Sequence, residues 1–248
     1  MALLAHQTRL RFGLFFFAMP NTVPTISIII PVLNEVQNVE SAVANAALVG
    51  DEVIVVDGGS KDGTWDLLQG LCCKTQNGVC GRGQQLRSGA ESATGDLILF
   101  LHADARLDPA AKSQLVDAWS SADDAATFYG GFRQRIDSDQ MIFRLIEKGN
   151  QWRAANQRLI YGDQGIFVSR QLYDQVDGVP GIPLMEDFEF SRRLSKAGKP
   201  VMLEGPIHVS QRRWQKNGAI RQTFSNWWIA TKYRMGVSPE DLRRSYNK

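Results

Sequence analysis

Cysteine and long apolar runs are both scarce in this chain of 248 residues, and each scarcity excludes a class of protein. The three cysteines are Cys72, Cys73 and Cys80. Their odd number argues against a disulfide framework, and no second Cys or His cluster completes a zinc site. We therefore expect reduced thiols in a cytoplasmic protein.

No apolar run is long enough to span a bilayer, so no transmembrane segment is expected. Residues 12–19 are apolar and follow Arg9 and Arg11, which resembles a short signal-peptide core without a clear cleavage site. We interpret residues 1–23 as a disordered or artefactual leader, with Met19 as the expected true start. A weak contact with a membrane surface is the alternative.

Strong net charge is also absent, because 28 Lys and Arg face 26 Asp and Glu. This balance says little about partners, and we expect no nucleic acid among them. The distribution is uneven, however. Residues 206–248 hold nine basic residues against Glu240 and Asp241, which gives this segment a charge of +7.

The pattern of apolar residues predicts an α/β fold. Buried strands are expected at 26–32, 53–56 and 96–101, with helices between them and a further helix that begins at Asp108 and Pro109. This alternation favours a mostly parallel sheet with right-handed crossovers. The second half mixes strands at 127–136, 165–168, 201–203 and 208–211 with helices at 141–156, 170–176, 186–197 and 220–234.

A short strand near Val79 is a further possibility. No linker or repeat divides the chain, so we expect one domain, 24–248, in which both halves share a sheet. Its parts would be 24–108, 109–215 and a helical tail, 216–248.

Acidic residues follow two of the predicted strands. Asp57 ends the second strand and precedes two glycines, and Asp104 lies just beyond the third. Open α/β folds bind ligands at the carboxyl ends of parallel strands, so these acids suit a nucleotide and its diphosphate. One carboxylate and phosphate oxygens would hold a Mg²⁺-type ion. The alternatives are an ordinary strand-to-helix turn and a polar strand end.

A glycine-rich segment, Gly81-Arg82-Gly83, precedes a predicted helix. Backbone N–H groups at a helix N-terminus, with Arg82 beside them, suit an anion. The segment is neither a Walker A motif nor a complete GxGxxG, and a plain glycine-rich turn is an equal alternative.

Four motifs, in this order, resemble the family 2 glycosyltransferases with the GT-A fold. They are PVLNE at 31–35, VVDGGSKDGT at 55–64, a variant DxD at 102–104 and Glu186-Asp187. The resemblance covers about residues 24–215. It implies inverting transfer of a sugar from a nucleotide-diphosphate donor to an acceptor hydroxyl, with Mg²⁺ or Mn²⁺. The first part, 24–108, would bind the nucleotide sugar, and 109–215 would hold the acceptor and the catalytic residues.

The same match implies a role for each residue. Asp57 would contact the nucleotide, Asp104 would bind metal and diphosphate, and Asp187, grouped with Glu186, would be the general base. The remaining donor-binding residues would be Pro31, Asn34, Glu35, Gly59, Ser60, Asp62, Arg82 and His102.

Three of these roles have a basis or an alternative of their own. His102 stands where the family has the first Asp of the DxD, and a neutral imidazole can hydrogen-bond ribose or phosphate. Asp62 could instead cap the following helix. Inverting displacement independently requires a carboxylate near the attacking hydroxyl, and one in the first turn of a helix stays ionised. Simple capping of that helix is the alternative for Glu186 and Asp187.

Three segments, 101–104, 161–167 and 211–214, resemble a small soluble subgroup associated with arsenosugar biosynthesis. Acceptor contacts are expected from Asp163, Gln164, Arg213 and Trp214, because Arg suits phosphate and Trp stacks on sugar faces. The alternatives are a tight turn at 163–164 and an exposed basic loop at 211–214.

The tail aromatics are Phe224, Trp227, Trp228 and Tyr233. They either pack on the core or contact an anionic membrane surface or a phosphorylated acceptor. Two competing functions follow: a polyprenyl-phosphate glycosyltransferase peripheral to the inner membrane face, and a nucleotide-sugar-binding protein without catalysis.

Overall fold

The computed structural model describes residues 23–212, 214 and 218–246. The predicted leader therefore lies outside the described residues, apart from Val23. The described chain forms one sheet of eight strands in the order β3-β2-β1-β4-β7-β6-β8-β5. The strands are β1 Ile26–Val32, β2 Glu52–Asp57, β3 Lys74–Asn77, β4 Leu97–Phe100, β5 Ala105–Leu107, β6 Tyr129–Ile136, β7 Phe167–Ser169 and β8 Val201–Val209.

Both halves of the chain contribute to this sheet, as predicted. Strands β1 to β4 are parallel to one another. Strand β7 joins β4 and β6 antiparallel, β6 and β8 are parallel, and β5 is antiparallel to β8. The predicted α/β fold, with a mostly parallel first half and a mixed second half, is confirmed.

Helices cover both faces of the sheet. They are α1 Val39–Ala47, α2 Thr64–Leu68, α3 Arg82–Ser92, α4 Ala111–Ser120, α5 Met141–Gln157, α6 Arg170–Gln175, α7 Glu186–Leu194, α8 Ala219–Arg234 and α9 Pro239–Tyr246. No helix within the described ranges has the length and apolar character needed to cross a membrane.

The core lies in two layers because successive strand residues point to opposite faces of the sheet. Ile28 and Ile30 pack with α1 residues on one face, whereas Ile29 and Ile54 pack with α3 residues on the other. Both faces are therefore buried, which explains why β1 and β2 are almost continuously apolar. The sheet is a fixed support for the loops at its carboxyl edge.

Several predicted boundaries differ from the observed ones; the helix predicted at 186–197, for example, ends at Leu194. Three of the differences have clear local reasons. The two strands predicted at 201–203 and 208–211 are a single strand, β8, which ends at Val209. It continues through Gly205-Pro206 because this interruption lies opposite a bulge in the pairing with β6. The short strand is β3 rather than a segment near Val79; β3 lies at the sheet edge, so its residues need not be apolar.

The third wrong boundary is the start of α4, which begins at Ala111 and not at Pro109. Oδ1 of Asp108 accepts a hydrogen bond from the Ala110 N–H, at 2.8 Å. Asp108 therefore organises the turn before the helix and lies two residues before the N-cap, Ala110, rather than being the cap itself.

Candidate active site

The carboxyl ends of β1, β2 and β4 meet at one edge of the sheet. Val32 is paired with Asp57, and the Leu101 N–H donates to the Ile29 carbonyl at 3.0 Å. Residues 102–104 therefore emerge beside the loop that follows β1. The prediction that the Asp57 and Asp104 segments share an edge agrees with this arrangement.

Asp57 is buried, with 2% of its surface exposed, and its carboxylate organises its own loop. Its Oδ2 accepts from the N–H groups of Gly59 at 3.2 Å and Ser60 at 3.0 Å, and the Ser60 hydroxyl donates to Oδ1. Gly59 has φ of +92°, which favours glycine. In this structure Asp57 shapes the edge of the site, and its contact with a nucleotide stays a prediction.

The loops after β1 and β2 are joined by hydrogen bonds. The Asn34 N–H donates to the Ser60 hydroxyl at 2.8 Å, and the Lys61 N–H donates to Oδ1 of Asn34 at 2.8 Å. Asn34 itself has φ of +57°. Each loop therefore supplies hydrogen-bond partners that hold the other in place.

Asp62 caps helix α2. Its Oδ1 accepts from the Thr64 N–H at 3.0 Å, and its Oδ2 accepts from the Val36 N–H at 3.1 Å. The hydrogen bond from the Thr64 hydroxyl, more than the backbone bonds, lowers the pKa of Asp62. Of the two roles open from the sequence, the structure favours capping.

A cleft of about 260 Å³ opens at this edge of the sheet. Five predicted donor-binding residues line it: Pro31, Glu35, Arg82, His102 and Asp104. Asn34, Asp57, Gly59, Ser60 and Asp62 support the loops around the cleft and are not among the residues that line it.

Three polar residues that were not assigned to the site also line the cleft: Cys80, Gln85 and Arg243. Gln85 is buried, and its Nε2 donates to the carbonyls of Val32 and Val56, both at 2.8 Å. It therefore ties the ends of β1 and β2 to α3. The only sequence signal for Arg243 was its membership of the basic tail.

Glu186 is 1% exposed and forms an ion pair with Arg82. Burial and the neighbouring Asp187 carboxylate raise the pKa of Glu186, against the opposing charge of Arg82. The pair can form because α3 packs closely against the segment before α7. At Gly83, on α3, an added Cβ would lie only 2.5 Å from the Pro180 carbonyl oxygen of that segment. Glu186 therefore positions Arg82 in this structure; the sequence grouped it with the catalytic base.

Asp187, beside it in the first turn of α7, is held by two backbone donors. Its Oδ2 accepts from the Gly162 N–H at 3.0 Å and its Oδ1 from the Phe188 N–H at 2.7 Å. Burial acts to raise the pKa of Asp187, but the Arg82 charge, these hydrogen bonds and His102 outweigh it and hold the pKa below its usual range. The carboxylate is therefore ionised at neutral pH.

His102 connects the donor cleft with Asp187. It lines the cleft together with Asp104, and it also lines a small adjoining cavity of about 10 Å³ with Gly162, Glu186 and Asp187. A Cβ on Gly162 would lie 2.8 Å from Nε2 of His102 and 3.4 Å from Oδ2 of Asp187. The imidazole of His102 thus lies between Asp104, which is predicted to bind the diphosphate, and Asp187, which is predicted to act as the base.

Two residues predicted to contact the acceptor belong to a polar network with α5. Gln164 is 0% exposed, and its Oε1 accepts from Nη2 of Arg153 at 2.7 Å and from the Tyr161 N–H at 3.3 Å. Oδ2 of Asp163 accepts from Nε2 of Gln134 at 2.7 Å. Gln164 therefore holds the turn rather than facing an open cleft, and the tight-turn alternative describes it better.

Arg153 is a residue that sequence reasoning missed in this region. Its guanidinium carbon lies 3.6 Å from the centre of the Tyr161 ring, and its Nη1 donates to Oδ1 of Asn150 at 2.8 Å. The sequence offered no signal for it, because the segment read only as a long helix.

Trp214 is buried, and its indole packs against Phe143 with ring centroids 5.8 Å apart, which argues against the predicted stacking on a sugar. Ile136 and Val209 complete this small apolar cluster. Arg213, its predicted partner in acceptor binding, lies outside the described residues.

Asp104 is the one predicted metal ligand, and within the described ranges no group of three or more His, Cys, Asp or Glu side chains forms a metal site. The donor set therefore does not fit an ion that needs a cage of protein ligands. It does fit Mg²⁺ or Mn²⁺ bound through one carboxylate, with diphosphate oxygens and water completing the shell.

The sequence profile described as Glycosyl transferase family 2 matches residues 27–172, which contain both predicted donor motifs and the His102-Ala103-Asp104 segment. The chain belongs to glycosyl transferase family 2. A dolichol-phosphate mannosyltransferase from Pyrococcus furiosus is 32% identical over 138 residues. That match covers 50% of this chain and 38% of the relative, so the chain spans well under half of its length.

Two solved structures share the fold of this chain. A mannosyltransferase from Pyrobaculum calidifontis, in complex with GDP-Man and Mn²⁺, has a TM-score of 0.58 and 18% identity, covering 89% of this chain and 67% of that one. Glucosyl-3-phosphoglycerate synthase from Mycobacterium tuberculosis, with Mn²⁺, UDP and glucosyl-3-phosphoglycerate, has a TM-score of 0.53 and 19% identity, covering 75% and 71%. These likenesses confirm the GT-A-like fold.

Proposed function

We propose that the protein is an inverting glycosyltransferase that moves a sugar from a nucleotide-diphosphate donor to an acceptor hydroxyl. One observation carries this proposal: the Asp187 carboxylate, held by the Gly162 N–H, lies next to His102, which lines the cleft together with Arg82 and Asp104. Membership of glycosyl transferase family 2 supports the same reaction class.

The donor would lie in the 260 Å³ cleft with its diphosphate near Asp104 and Arg82. Arg82 is oriented by Glu186, so its guanidinium is preorganised to face phosphate oxygens. Asp104 would hold Mg²⁺ or Mn²⁺, which supplies positive charge that stabilises the departing nucleoside diphosphate. Structural neighbours complexed with Mn²⁺ and nucleotides support this choice of ion.

Asp187 would act as the general base. It accepts the proton of the acceptor hydroxyl as that oxygen forms a bond to the anomeric carbon, while the bond from that carbon to the diphosphate oxygen breaks with its electron pair. Attack opposite the leaving group inverts the configuration, and no second nucleophilic carboxylate is required. His102 separates the donor side from the base side and offers a ring nitrogen to ribose or phosphate.

The acceptor is open between a small molecule and a lipid-linked one. The resemblance to the arsenosugar-associated subgroup favours a small molecule and a cytoplasmic protein. Asp163 is partly exposed next to Gly162, so it can still meet an acceptor even though Gln164 is buried. These finer assignments stay predictions.

The decisive experiment first identifies the donor and then tests the base. A thermal-shift panel of UDP-, GDP-, dTDP- and CDP-sugars, with and without Mn²⁺, should raise the unfolding temperature for one donor class. Release of nucleoside diphosphate then measures turnover in Asp187→Asn and Asp104→Asn, both expected to be folded and inactive. Asp66→Asn, an exposed acid on α2, is the matched control and should retain activity.

Two results would contradict the assignment. Full turnover by Asp187→Asn would remove the proposed base, and full turnover by Asp104→Asn would remove the proposed diphosphate and metal ligand. Binding of a donor by the wild-type protein without any release of nucleoside diphosphate, with candidate acceptors present, would favour the non-catalytic binding protein.

A second candidate function is transfer to a polyprenyl phosphate at a membrane surface. Helix α8 exposes Phe224, Trp227 and Trp228, with 64% of Trp227 accessible, and Nζ of Lys232 lies 5.6 Å from the Trp228 ring. Exposed aromatics beside basic residues suit an anionic bilayer surface. The name of the Pyrococcus furiosus relative, dolichol-phosphate mannosyltransferase, is compatible with this candidate.

Flotation with vesicles that contain anionic phospholipid separates the two acceptor classes. Co-flotation that is lost in a Phe224→Ala, Trp227→Ala double variant would favour the membrane function. Absence of binding to anionic vesicles at low salt would count against it and leave the small-molecule acceptor.

A further inference from the structure

The C-terminal helix α9 returns to the donor cleft. Leu242 is buried and α9 packs on α8, whereas Arg243, the next residue, lines the cleft with Arg82 and Asp104. The chain approaches the same edge a second time at Arg212, whose Nη2 donates to Oδ1 of Asn38 at 2.6 Å, just after the loop that follows β1. Residues far apart in the sequence therefore complete one cleft.

Arg243 differs from the other charged residues of the cleft in its ion pairing. Arg82 forms an ion pair with Glu186, while Glu35 and Asp104 bring negative charge to the lining. Within the part of the chain that the structure describes, no ion pair of Arg243 occurs. A guanidinium without a carboxylate partner, at the mouth of a cleft, is suited to phosphate oxygens.

The adjacent arginine provides an internal comparison. Nη1 of Arg244 lies 3.5 Å from Oδ1 of Asp241 on the same helix, and its side chain is 81% exposed. Arg244 does not line the cleft. The two arginines share a helix and a charge, but they differ in their direction relative to the cleft and in the ion pair that Arg244 forms with Asp241.

We infer that Arg243 binds the diphosphate of the donor, so that helix α9 forms part of the donor site. This inference rests on the proposed function and extends it, since it assigns to the donor site a residue that lies outside the 27–172 segment matched by the family. Arg243 would strengthen donor binding without touching the base or the acceptor hydroxyl. Its loss should therefore weaken affinity for the nucleotide more than it slows turnover at saturating donor.

The test compares Arg243→Ala with Arg244→Ala in the full chain by isothermal titration calorimetry. The titrants are the nucleoside diphosphate of the donor class selected by the thermal-shift panel, with Mn²⁺, and the corresponding nucleoside. A charged hydrogen bond predicts about 10- to 100-fold weaker binding of the diphosphate to Arg243→Ala. Binding of the nucleoside should be unchanged, Arg244→Ala should bind like the wild type, and Arg243→Lys should fall between.

Results that contradict the role of Arg243 can be distinguished from results that contradict the proposed function. Wild-type affinity in Arg243→Ala, an equal loss in Arg244→Ala, or an equal loss of nucleoside binding would overturn the role of Arg243 while leaving the proposed function intact. Failure of the wild-type protein to bind any nucleoside diphosphate would overturn the proposed function itself. If Arg243→Ala does not fold, Arg243→Gln in the same titration gives the same decision.

Discussion

A methyl group added at Gly162 tests the junction between the donor cleft and the proposed base. Gly162 lies in a short 3-10 helix, Gly162–Gln164, with φ outside the left-handed region, so the Gly162→Ala change creates no backbone strain. The new Cβ would instead lie 2.8 Å from Nε2 of His102 and 3.4 Å from Oδ2 of Asp187. The perturbation therefore acts on two functional side chains and little else.

The size of the effect follows from these distances. Because favourable contacts of a carbon atom begin at about 3.5 Å, the imidazole of His102 must move by about 0.7 Å. Displacement of catalytic groups by about 1 Å costs about 100-fold in rate, so we expect kcat/KM to fall by about 10- to 100-fold. Release of nucleoside diphosphate from the selected donor measures this loss, and urea unfolding should show a much smaller change.

Gly149→Ala is the matched control, since a Cβ on this exposed glycine of α5 meets no atom within 4 Å. It should keep full activity and stabilise the protein by about 0.4–1 kcal/mol, because alanine has less backbone freedom to lose on folding. Wild-type turnover by a folded Gly162→Ala protein would refute the assignment of His102 and Asp187 to one active site.

Three further predictions concern charge and packing. The pKa of Asp187 is lowered by Arg82 and two backbone donors, which outweigh the effect of burial. The ionised carboxylate therefore stabilises the folded protein above its unfolded pKa, and this stabilisation is lost as the pH falls below about 4. Asp187→Asn should lose less stability in acid, as measured by urea unfolding at a series of pH values. Arg82→Ala leaves the Glu186 carboxylate buried without its partner and should destabilise the protein by about 1–3 kcal/mol. An Arg82→Ala, Glu186→Gln double variant should recover much of that loss. Equal stability of the single and the double variant would contradict the pairing of Arg82 with Glu186. Leu99→Ala in the fully buried strand β4 should lower the free energy of unfolding by about 2–5 kcal/mol without altering the donor affinity of the folded protein.

The sequence predicted the parallel half of the sheet well because its strands are buried on both faces. Segments such as 26–32 are nearly continuous runs of apolar residues, and that pattern indicates a central strand independently of distant contacts. Edge and bulged strands were harder to predict. β3 is polar, and β8 contains a Gly-Pro pair that resembles a turn until its pairing with β6 is known.

Residues of the candidate site were likewise predicted well where local sequence signals place them and poorly where long-range packing does. Its predicted acids follow strands or open a helix, so their positions could be inferred from local signals, and Arg82, His102 and Asp104 do line one cleft. The roles of Gln164 and Trp214 depended instead on long-range packing. A polar residue in a turn and an aromatic residue in a basic loop are not visibly buried until Arg153 and Phe143 are found beside them.

The position of Arg243 at the cleft could not be predicted from the sequence either. A charge in a basic tail is most simply read as solvated, and nothing in residues 239–246 points toward the loops after β1 and β4. Only the tertiary path of α8 and α9 brings this arginine to the cleft.

The amide of Gln85 determines which side of the site can move when a donor enters. Helix α3 carries both Arg82 and Gln85, and Gln85 donates two buried hydrogen bonds to backbone carbonyls at the carboxyl ends of β1 and β2. Shifting α3 would leave those carbonyls unpaired at a cost of about 1–3 kcal/mol each. Helix α3 therefore keeps its place at the strand ends when a donor enters, and α7 stays with it through the ion pair between Glu186 and Arg82. Arg82 then meets each new diphosphate from the same position, from one catalytic cycle to the next.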